Sequence, residues 1–223
     1  MKKKTKIILC TASIIGVIGV SGILAYLTDT DTASNKFTVG QVKIQLKEPI
    51  WEAGTDSDNN GIPDYAENLV PNETIEKDPQ VKNVGKNDAY VYLKVTVPAK
   101  RIITAQSDGT LANGGQATDT QLFTYTPNEK WKEITTERKS NVNSETSEIE
   151  SYTYVYYYNE KLTPKSTTDT LFDTVKFANI IDGQVDSTTE QQLNIDAYAI
   201  QSDNLPDGTT IEKAYTIYVN QNK

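Results

Sequence analysis

Residues 89–97 read Ala-Tyr-Val-Tyr-Leu-Lys-Val-Thr-Val, and this stretch decides the fold. Every second side chain is apolar, whereas the side chains between them are tyrosine, lysine or threonine. Because successive side chains of a β-strand point to opposite faces, the alternation predicts a strand with one buried face. Pro98 should end this strand or mark an edge, since proline lacks the N–H that a sheet ladder needs. The predicted buried face consists of Ala89, Val91, Leu93, Val95 and Val97.

Further strand patterns lie on both sides of this stretch. The β-forming residues Tyr, Thr, Val and Ile dominate segments 152–158, 171–181 and 192–201. Segment 37–46 alternates as well, but its phase flips at Gly40, which indicates a bulge or bend within one strand.

Two shorter predictions complete the set of strands. Segments 122–126 and 131–136 are expected to form a hairpin around residues 127–128, which are proline and asparagine. Residues 215–219 are expected to close the sheet as a strand, with a short helix at 210–214 as the alternative.

Seven or more strands without a long amphipathic helix are typical of an antiparallel sandwich. We therefore predict an all-β chain, an antiparallel β-sandwich that is jelly-roll-like and has long loops, with a single domain over residues 26–223. Segments 107–120 and 138–150 are expected to be long surface loops, and an acidic loop at 56–67 is expected to be inserted in the domain.

The composition excludes several classes of function. The chain has 223 residues, with 30 acidic and 22 basic side chains, no histidine and one cysteine. The formal net charge of −8 argues against nucleic-acid binding, which needs a basic surface. Catalytic triads and the usual zinc hydrolases need an imidazole, so both classes are excluded. A glycosidase with two carboxylates has no positive signal, and we expect a protein that is not an enzyme.

The N-terminus has the pattern of a secretory signal. Four lysines lie within the first six residues, and residues 7–27 carry no charge. This pattern predicts a signal peptide over residues 1–25, cut near Ala25 and Tyr26, and a secreted protein. An uncleaved membrane anchor is the alternative, since ~20 apolar residues span a bilayer. Cleavage removes four lysines, no acid and Cys10, so the mature chain has a net charge of −12 and no disulfide.

Residues 56–67 read Asp-Ser-Asp-Asn-Asn-Gly-Ile-Pro-Asp-Tyr-Ala-Glu, which is the spacing of a calcium-binding loop. Calcium prefers six to eight hard oxygen ligands, and alternate residues of a tight loop can supply them. Gly61 stands where a sharp turn is needed, but no convincing helix precedes the loop, and Pro63 is foreign to most EF-hands. A polar turn without metal is the alternative. The predicted ligands of a structural Ca²⁺ are Asp56, Asp58, Asn60, Ile62 (through its carbonyl), Asp64 and Glu67.

A row of tyrosines occupies segment 152–158. Tyrosine offers both contact area and a hydrogen bond, so such a row can form a platform for a sugar or a peptide. The alternative is a half-buried strand whose rings pack across neighbouring strands, and we favour this second interpretation.

Several stretches together resemble the exported biofilm matrix proteins that are processed by the signal peptidase SipW, a family that includes TasA, camelysin and the clostridial proteins of the BsaA type. The likeness covers both ends and the first hundred residues, and it does not extend to residues 100–190. It rests on the lysine-rich signal and on residues 25–33, 35–40, 42–46, 48–51, 77–85, 88–95 and 197–204.

This resemblance implies a secreted, jelly-roll-like subunit of extracellular matrix fibres in a Gram-positive bacterium. It implies self-assembly into a homopolymer, in which a terminal strand of one subunit completes the sheet of the next. SipW would act during export, and other matrix components are possible partners. The metalloprotease activity described for camelysin does not carry over, because the chain has no histidine to hold zinc. A monomeric cell-surface adhesion or carbohydrate-binding module is the alternative function.

Overall fold

The computed structural model describes residues 39–186 and 189–222, so the predicted signal peptide and residues 37–38 of the first predicted strand lie outside the described part. Within it, short strands alternate with loops, and two α-helices occur, α1 Pro49–Ala53 and α2 Ile211–Gln221. The strands are β1 Ile44–Lys47, β2 Thr74–Glu76, β3 Gln80–Asn83, β4 Ala89–Ile102, β5 Thr118–Gln121, β6 Phe123–Thr124, β7 Trp131–Glu133, β8 Lys139–Val142, β9 Ile149–Tyr158, β10 Thr174–Phe177 and β11 Asn194–Gln201.

The largest sheet is antiparallel and has β4 at its centre. Its order is β11-β4-β9-β7, with β8 paired to the first half of β9 and β5 paired to the end of β4. Leu93 lies opposite Ala197 on one side and opposite Tyr156 on the other. The predicted strand at 89–97 is thus confirmed, and it continues to Ile102. Pro98 lies where β4 exchanges β9 for β5 as its partner.

Two smaller antiparallel sheets, β1-β3 and β2-β10-β6, pack against one face of the large sheet. The core between the layers is apolar, and the β4 side chains predicted to be buried are all fully buried. The chain is therefore an all-β antiparallel fold of the sandwich type, as its alternating sequence predicts. The smaller sheets contribute Ile75, Val81, Phe123, Val175 and Phe177 to this core, and β9 of the large sheet contributes Tyr156 and Tyr158.

The predicted strand at 215–219 is wrong, because these residues belong to α2. Thr210 caps the helix by accepting a hydrogen bond from the N–H of Lys213 at 3.2 Å. The alternative helix at 210–214 is the beginning of α2. The helix packs Ala214 and Tyr215 against the outer face of the large sheet, where they meet Tyr92 and other apolar side chains. A second, smaller core therefore lies beneath α2.

The predicted hairpin at 122–126 and 131–136 is also wrong. β6 pairs with β10 and β7 pairs with β9, so the two segments belong to different sheets. Between β6 and β7 the chain passes from the small sheet to the large sheet. Asn128 holds this connection in place, because its N–H donates to the carbonyl of Leu171 at 2.7 Å. Trp131 then enters the core and donates its indole N–H to the carbonyl of Asp169 at 3.0 Å.

The two predicted long loops are in part strands, at one end of segment 107–120 and at both ends of segment 138–150. β5 lies at the end of segment 107–120, and β8 and the start of β9 lie within 138–150. All four residues of β8 are exposed, so the strand needs no apolar period and its sequence gave no signal. Segment 171–181 contains only the four-residue strand β10. Among the described residues, no helix is both long and apolar enough to cross a bilayer.

Candidate functional site

The acidic loop at 56–67 lies between α1 and β2 and folds around its own polar side chains. The Asp56 carboxylate accepts hydrogen bonds from the N–H groups of Asn60 at 3.1 Å and Gly61 at 2.9 Å. Gly61 has a φ of +88°, a left-handed value that favours glycine. The sharp turn expected at this position is therefore present.

Asn60 brings two of the predicted ligands together. Its Nδ2 donates to Asp58 Oδ2 at 3.1 Å and to Glu67 Oε1 at 2.6 Å, while its Oδ1 accepts from the N–H of Ile62 at 2.7 Å. A rotation of this amide would turn its oxygen toward the two carboxylates in place of the nitrogen. Three oxygens of the kind that calcium prefers would then face one point.

Asp64 is the predicted ligand that the structure leaves apart. Its carboxylate accepts from the Ser57 N–H at 2.8 Å and from the Ser57 hydroxyl at 2.7 Å, and these bonds lower the pKa of Asp64 below its ordinary value. In the described part of the chain, no three acidic side chains stand together as a metal-binding group. The loop thus has the right donor atoms and turn, and Asp64 and Asn60 would have to reorient to complete a calcium site.

An aromatic contact connects this loop to the body of the protein. The ring of Tyr65 meets the ring of Trp51 edge-on, with centroids 6.1 Å apart. Trp51 in turn covers the ammonium of Lys77, whose Nζ lies 4.1 Å from the ring centroid. Gly54 permits this approach, because a side chain there would meet Pro63 Cβ at 2.6 Å.

The buried ion pair beneath Trp51 had no signal in the sequence. Lys77 Nζ lies 2.9 Å from Glu48 Oε1, and the two side chains are only 9% and 18% exposed. The neighbouring Asp78 is buried and accepts from the N–H of Ile50 at 3.0 Å. The partners lie far apart in the chain with no characteristic spacing, so only the fold brings them together.

The tyrosine row in β9 is partly buried: Tyr156 and Tyr158 lie in the core, and the other three tyrosines of the row are half-buried. Tyr156 and Tyr158 are buried, and Tyr158 donates its hydroxyl to Asp169 Oδ2 at 2.7 Å. The hydroxyls of Tyr125 and Tyr156 lie 3.2 Å apart, and burial raises the pKa of Tyr156 to about 12. The rings of Tyr156 and Tyr158 pack across neighbouring strands, against Tyr125 and Trp131, as the interpretation of a half-buried strand predicts.

The edges of the large sheet differ from one another. Among the described strands β11 pairs only with β4, so its outer edge has no ladder along eight residues of regular register. The opposite edge is divided between the short strands β7 and β8, and the register of β8 shifts between Asn141 and Val142. An unpaired, regular strand edge is a template for a further strand.

No protein-family model and no curated protein matches the chain. The resemblance to the SipW-dependent matrix proteins therefore stays a prediction from the residues that carry it.

Proposed function

We propose that the protein is a secreted structural subunit of extracellular biofilm matrix fibres, in which subunits join by strand addition. The observation that supports this most directly is the open edge of β11. A row of unpaired N–H and C=O groups promotes uncontrolled pairing, and proteins normally protect it. An added strand would satisfy these groups with a full set of backbone hydrogen bonds.

The N-terminal segment is the candidate for the added strand. Residues 26–36 become the new N-terminus after the proposed cleavage, which we assign to SipW on the family resemblance. They are rich in threonine, which favours an extended strand, and after Leu27 they contain no large apolar side chain to hold them in a core. A segment of this kind can pair with the sheet of a neighbouring subunit without taking large apolar side chains from the core of its own subunit.

We also propose that Ca²⁺ binds the loop at 56–67 in a structural role. The hydrogen bonds from Asn60 to Asp58 and Glu67, and from the N–H of the left-handed Gly61 to the Asp56 carboxylate, support this proposal. The bound ion would replace hydrogen bonds within the loop by ligand bonds and would hold Tyr65 against Trp51. Extracellular sites of this class are weak, with a Kd of ~10⁻⁴–10⁻³ M.

Electron microscopy of the purified mature protein tests the fibre proposal. The protein that starts at Tyr26 should form filaments, and a variant lacking residues 26–36 should stay a folded monomer. The deleted segment contains none of the core residues that the structure describes. A mature protein that remains monomeric at every concentration and calcium level, and binds a glycan, would instead support the adhesion module.

A further inference from the structure

Two Asn-Gly pairs lie in exposed turns of the protein, Asn60-Gly61 in the acidic loop and Asn113-Gly114 before β5. In such a pair the backbone nitrogen of the glycine can attack the side-chain amide carbon of the asparagine, because glycine has no side chain that hinders the approach. The product is a five-membered succinimide ring, and ammonia is released. Asn-Gly pairs are therefore sites of deamidation, and the rate depends on the groups around the reacting atoms.

The Asp56 carboxylate is placed to take the proton from the attacking nitrogen. Its Oδ2 accepts from the N–H of Gly61 at 2.9 Å, and its Oδ1 accepts from the N–H of Asn60 at 3.1 Å. These two bonds hold the carboxylate against the N–H that has to lose its proton. A base positioned in this way accelerates proton transfer.

The N–H of Ile62 is placed to stabilise the negative charge that develops on the amide oxygen. It donates to Asn60 Oδ1 at 2.7 Å, as the donors of an oxyanion hole do. The other end of the amide is fixed as well, because Asn60 Nδ2 donates to Asp58 Oδ2 at 3.1 Å and to Glu67 Oε1 at 2.6 Å. The base, the reacting amide and the oxyanion donor therefore lie within one turn of the chain.

The turn is also open to the water that completes the reaction. Asn60 and Gly61 are exposed, and a Cβ atom at Gly61 would meet no atom within 4 Å. Asn113 and Gly114 are exposed too. Within the described residues, however, no side chain accepts from the Gly114 N–H and no group donates to the Asn113 side chain. The second pair is thus a control inside the same chain, with the same reacting groups and without the base or the oxyanion donor.

We propose that Asn60 is a self-modifying site, at which the folded loop promotes its own deamidation. The nitrogen of Gly61 bonds to Cγ of Asn60 and gives up its proton to Asp56, while the bond from Cγ to Nδ2 breaks. The released nitrogen takes up a proton in return and leaves as ammonia. Water then opens the ring at either carbonyl and produces aspartate or isoaspartate. The net reaction consumes one water, releases one ammonia and oxidises nothing.

The modification changes what residue 60 does in the loop. The amide donates to Asp58 and Glu67, whereas a carboxylate in its place has only acceptor oxygens and adds a negative charge. Three carboxylates that face one another repel unless a cation lies between them. The modified loop should therefore bind Ca²⁺ more tightly than the unmodified loop. This consequence rests on the proposed calcium site, and the modification itself does not.

Incubation of the mature protein at neutral pH with a metal chelator, followed by peptide mass spectrometry, tests the proposal. The succinimide lacks the mass of ammonia, ring opening adds the mass of water, and fragment spectra locate each change. In the folded protein, conversion at Asn60 should be faster than at Asn113 by about tenfold or more. In concentrated urea the two rates should become similar, because unfolding removes Asp56 and Ile62 from the reacting groups.

Two variants of equal charge test the role of the base. Asp56→Asn should slow conversion at Asn60 by about tenfold, since an amide oxygen still accepts from the Gly61 N–H but does not take its proton. Asp64→Asn is the matched control, because it removes the same charge from the same loop at a carboxylate that binds Ser57. It should leave the rate unchanged. Circular dichroism melts verify that both variants are folded.

The proposal is overturned if Asn60 converts no faster than Asn113 in the folded protein, if the difference persists in urea, or if Asp56→Asn converts at the original rate. Calorimetry with Ca²⁺ then measures the consequence, with Asn60→Asp as the modified loop and an expected increase in affinity over the parent protein. If neither protein binds Ca²⁺, the calcium proposal is wrong, whereas the mass spectra alone decide whether the loop modifies itself.

Discussion

The hydroxyl of Tyr92 donates a hydrogen bond of 2.7 Å to the carbonyl oxygen of Ile211, and so ties the centre of the large sheet to the first turn of α2. Tyr92 is fully buried, and its ring lies 5.1 Å from that of Tyr215. Removal of the hydroxyl by Tyr92→Phe should therefore lower the free energy of unfolding by about 1 kcal/mol. Urea denaturation measures the difference.

The matched control for this change is Tyr90→Phe, since the Tyr90 hydroxyl makes no hydrogen bond within the described residues. It should leave the urea midpoint unchanged. Equal effects of the two substitutions would contradict the assignment of the Tyr92 bond as a support of α2.

The ion pair between Lys77 and Glu48 should behave as a buried pair. Lys77→Met keeps the length of the side chain but leaves Glu48 without its partner, at a cost of about 3 kcal/mol. The double variant Lys77→Met with Glu48→Gln removes the unpaired charge, and should recover part of this loss in a double-mutant cycle. Additive effects in thermal melts would show that the two groups do not interact.

Alkaline pH should destabilise the protein through its buried tyrosines. Burial raises the pKa of Tyr156 from 10.0 to about 12. The folded state therefore holds this proton more tightly than the unfolded state does, and its contribution to stability is complete below pH 10 and is lost as the pH rises toward about 12. Urea midpoints measured across this range should fall, and Tyr156→Phe should make the fall shallower.

Calcium should raise the melting temperature, because a ligand that binds only the folded state stabilises it. Asp58→Ala should remove most of the gain, since Asp58 contacts Asn60 at the centre of the loop. Asp108→Ala is the matched control, because Asp108 accepts from the Thr110 N–H in a turn elsewhere. If calorimetry detects no binding at millimolar calcium, the proposal is wrong. The fluorescence of Trp51 is a second measurement, because Trp51 contacts Tyr65 in the loop.

N-terminal sequencing of material recovered from the medium should start within a few residues of Tyr26. Intact chains that begin at Met1 and are found only in membranes would support the uncleaved anchor instead.

Sequence reasoning was most successful where one periodicity was strong. The alternation over 89–97 has no helical interpretation, and the fold confirms it as part of β4. At the C-terminus, Tyr215, Ile217 and Val219 alternate as in a strand, while Ile211, Tyr215 and Tyr218 recur as in a helix. The Thr210 cap and the packing of this segment on the large sheet stabilise the helix. Tertiary contacts of this kind cannot be inferred from the local spacing of apolar residues.

The candidate sites were predictable to different degrees. The spacing of the acidic loop predicts the turn at Gly61 and the approach of Asn60 to Asp58 and Glu67, because these depend on neighbours in sequence. It does not predict that Asp64 turns to Ser57. The open edge of β11 depends on which strands pair with it over the whole chain, and so it had no local signal.

The position of β4 at the centre of the sheet also sets the order in which the protein can be built. Leu93 is synthesised before both of its partners, Tyr156 on one side and Ala197 on the other, so its two strand pairings can form only after these residues have been made. Pairings between residues so distant in sequence form slowly, since a long loop has to close for each. A chain emerging from the ribosome therefore cannot complete its largest sheet until β11, Asn194–Gln201, has been made, and until then the central strand β4 has one edge without its partner.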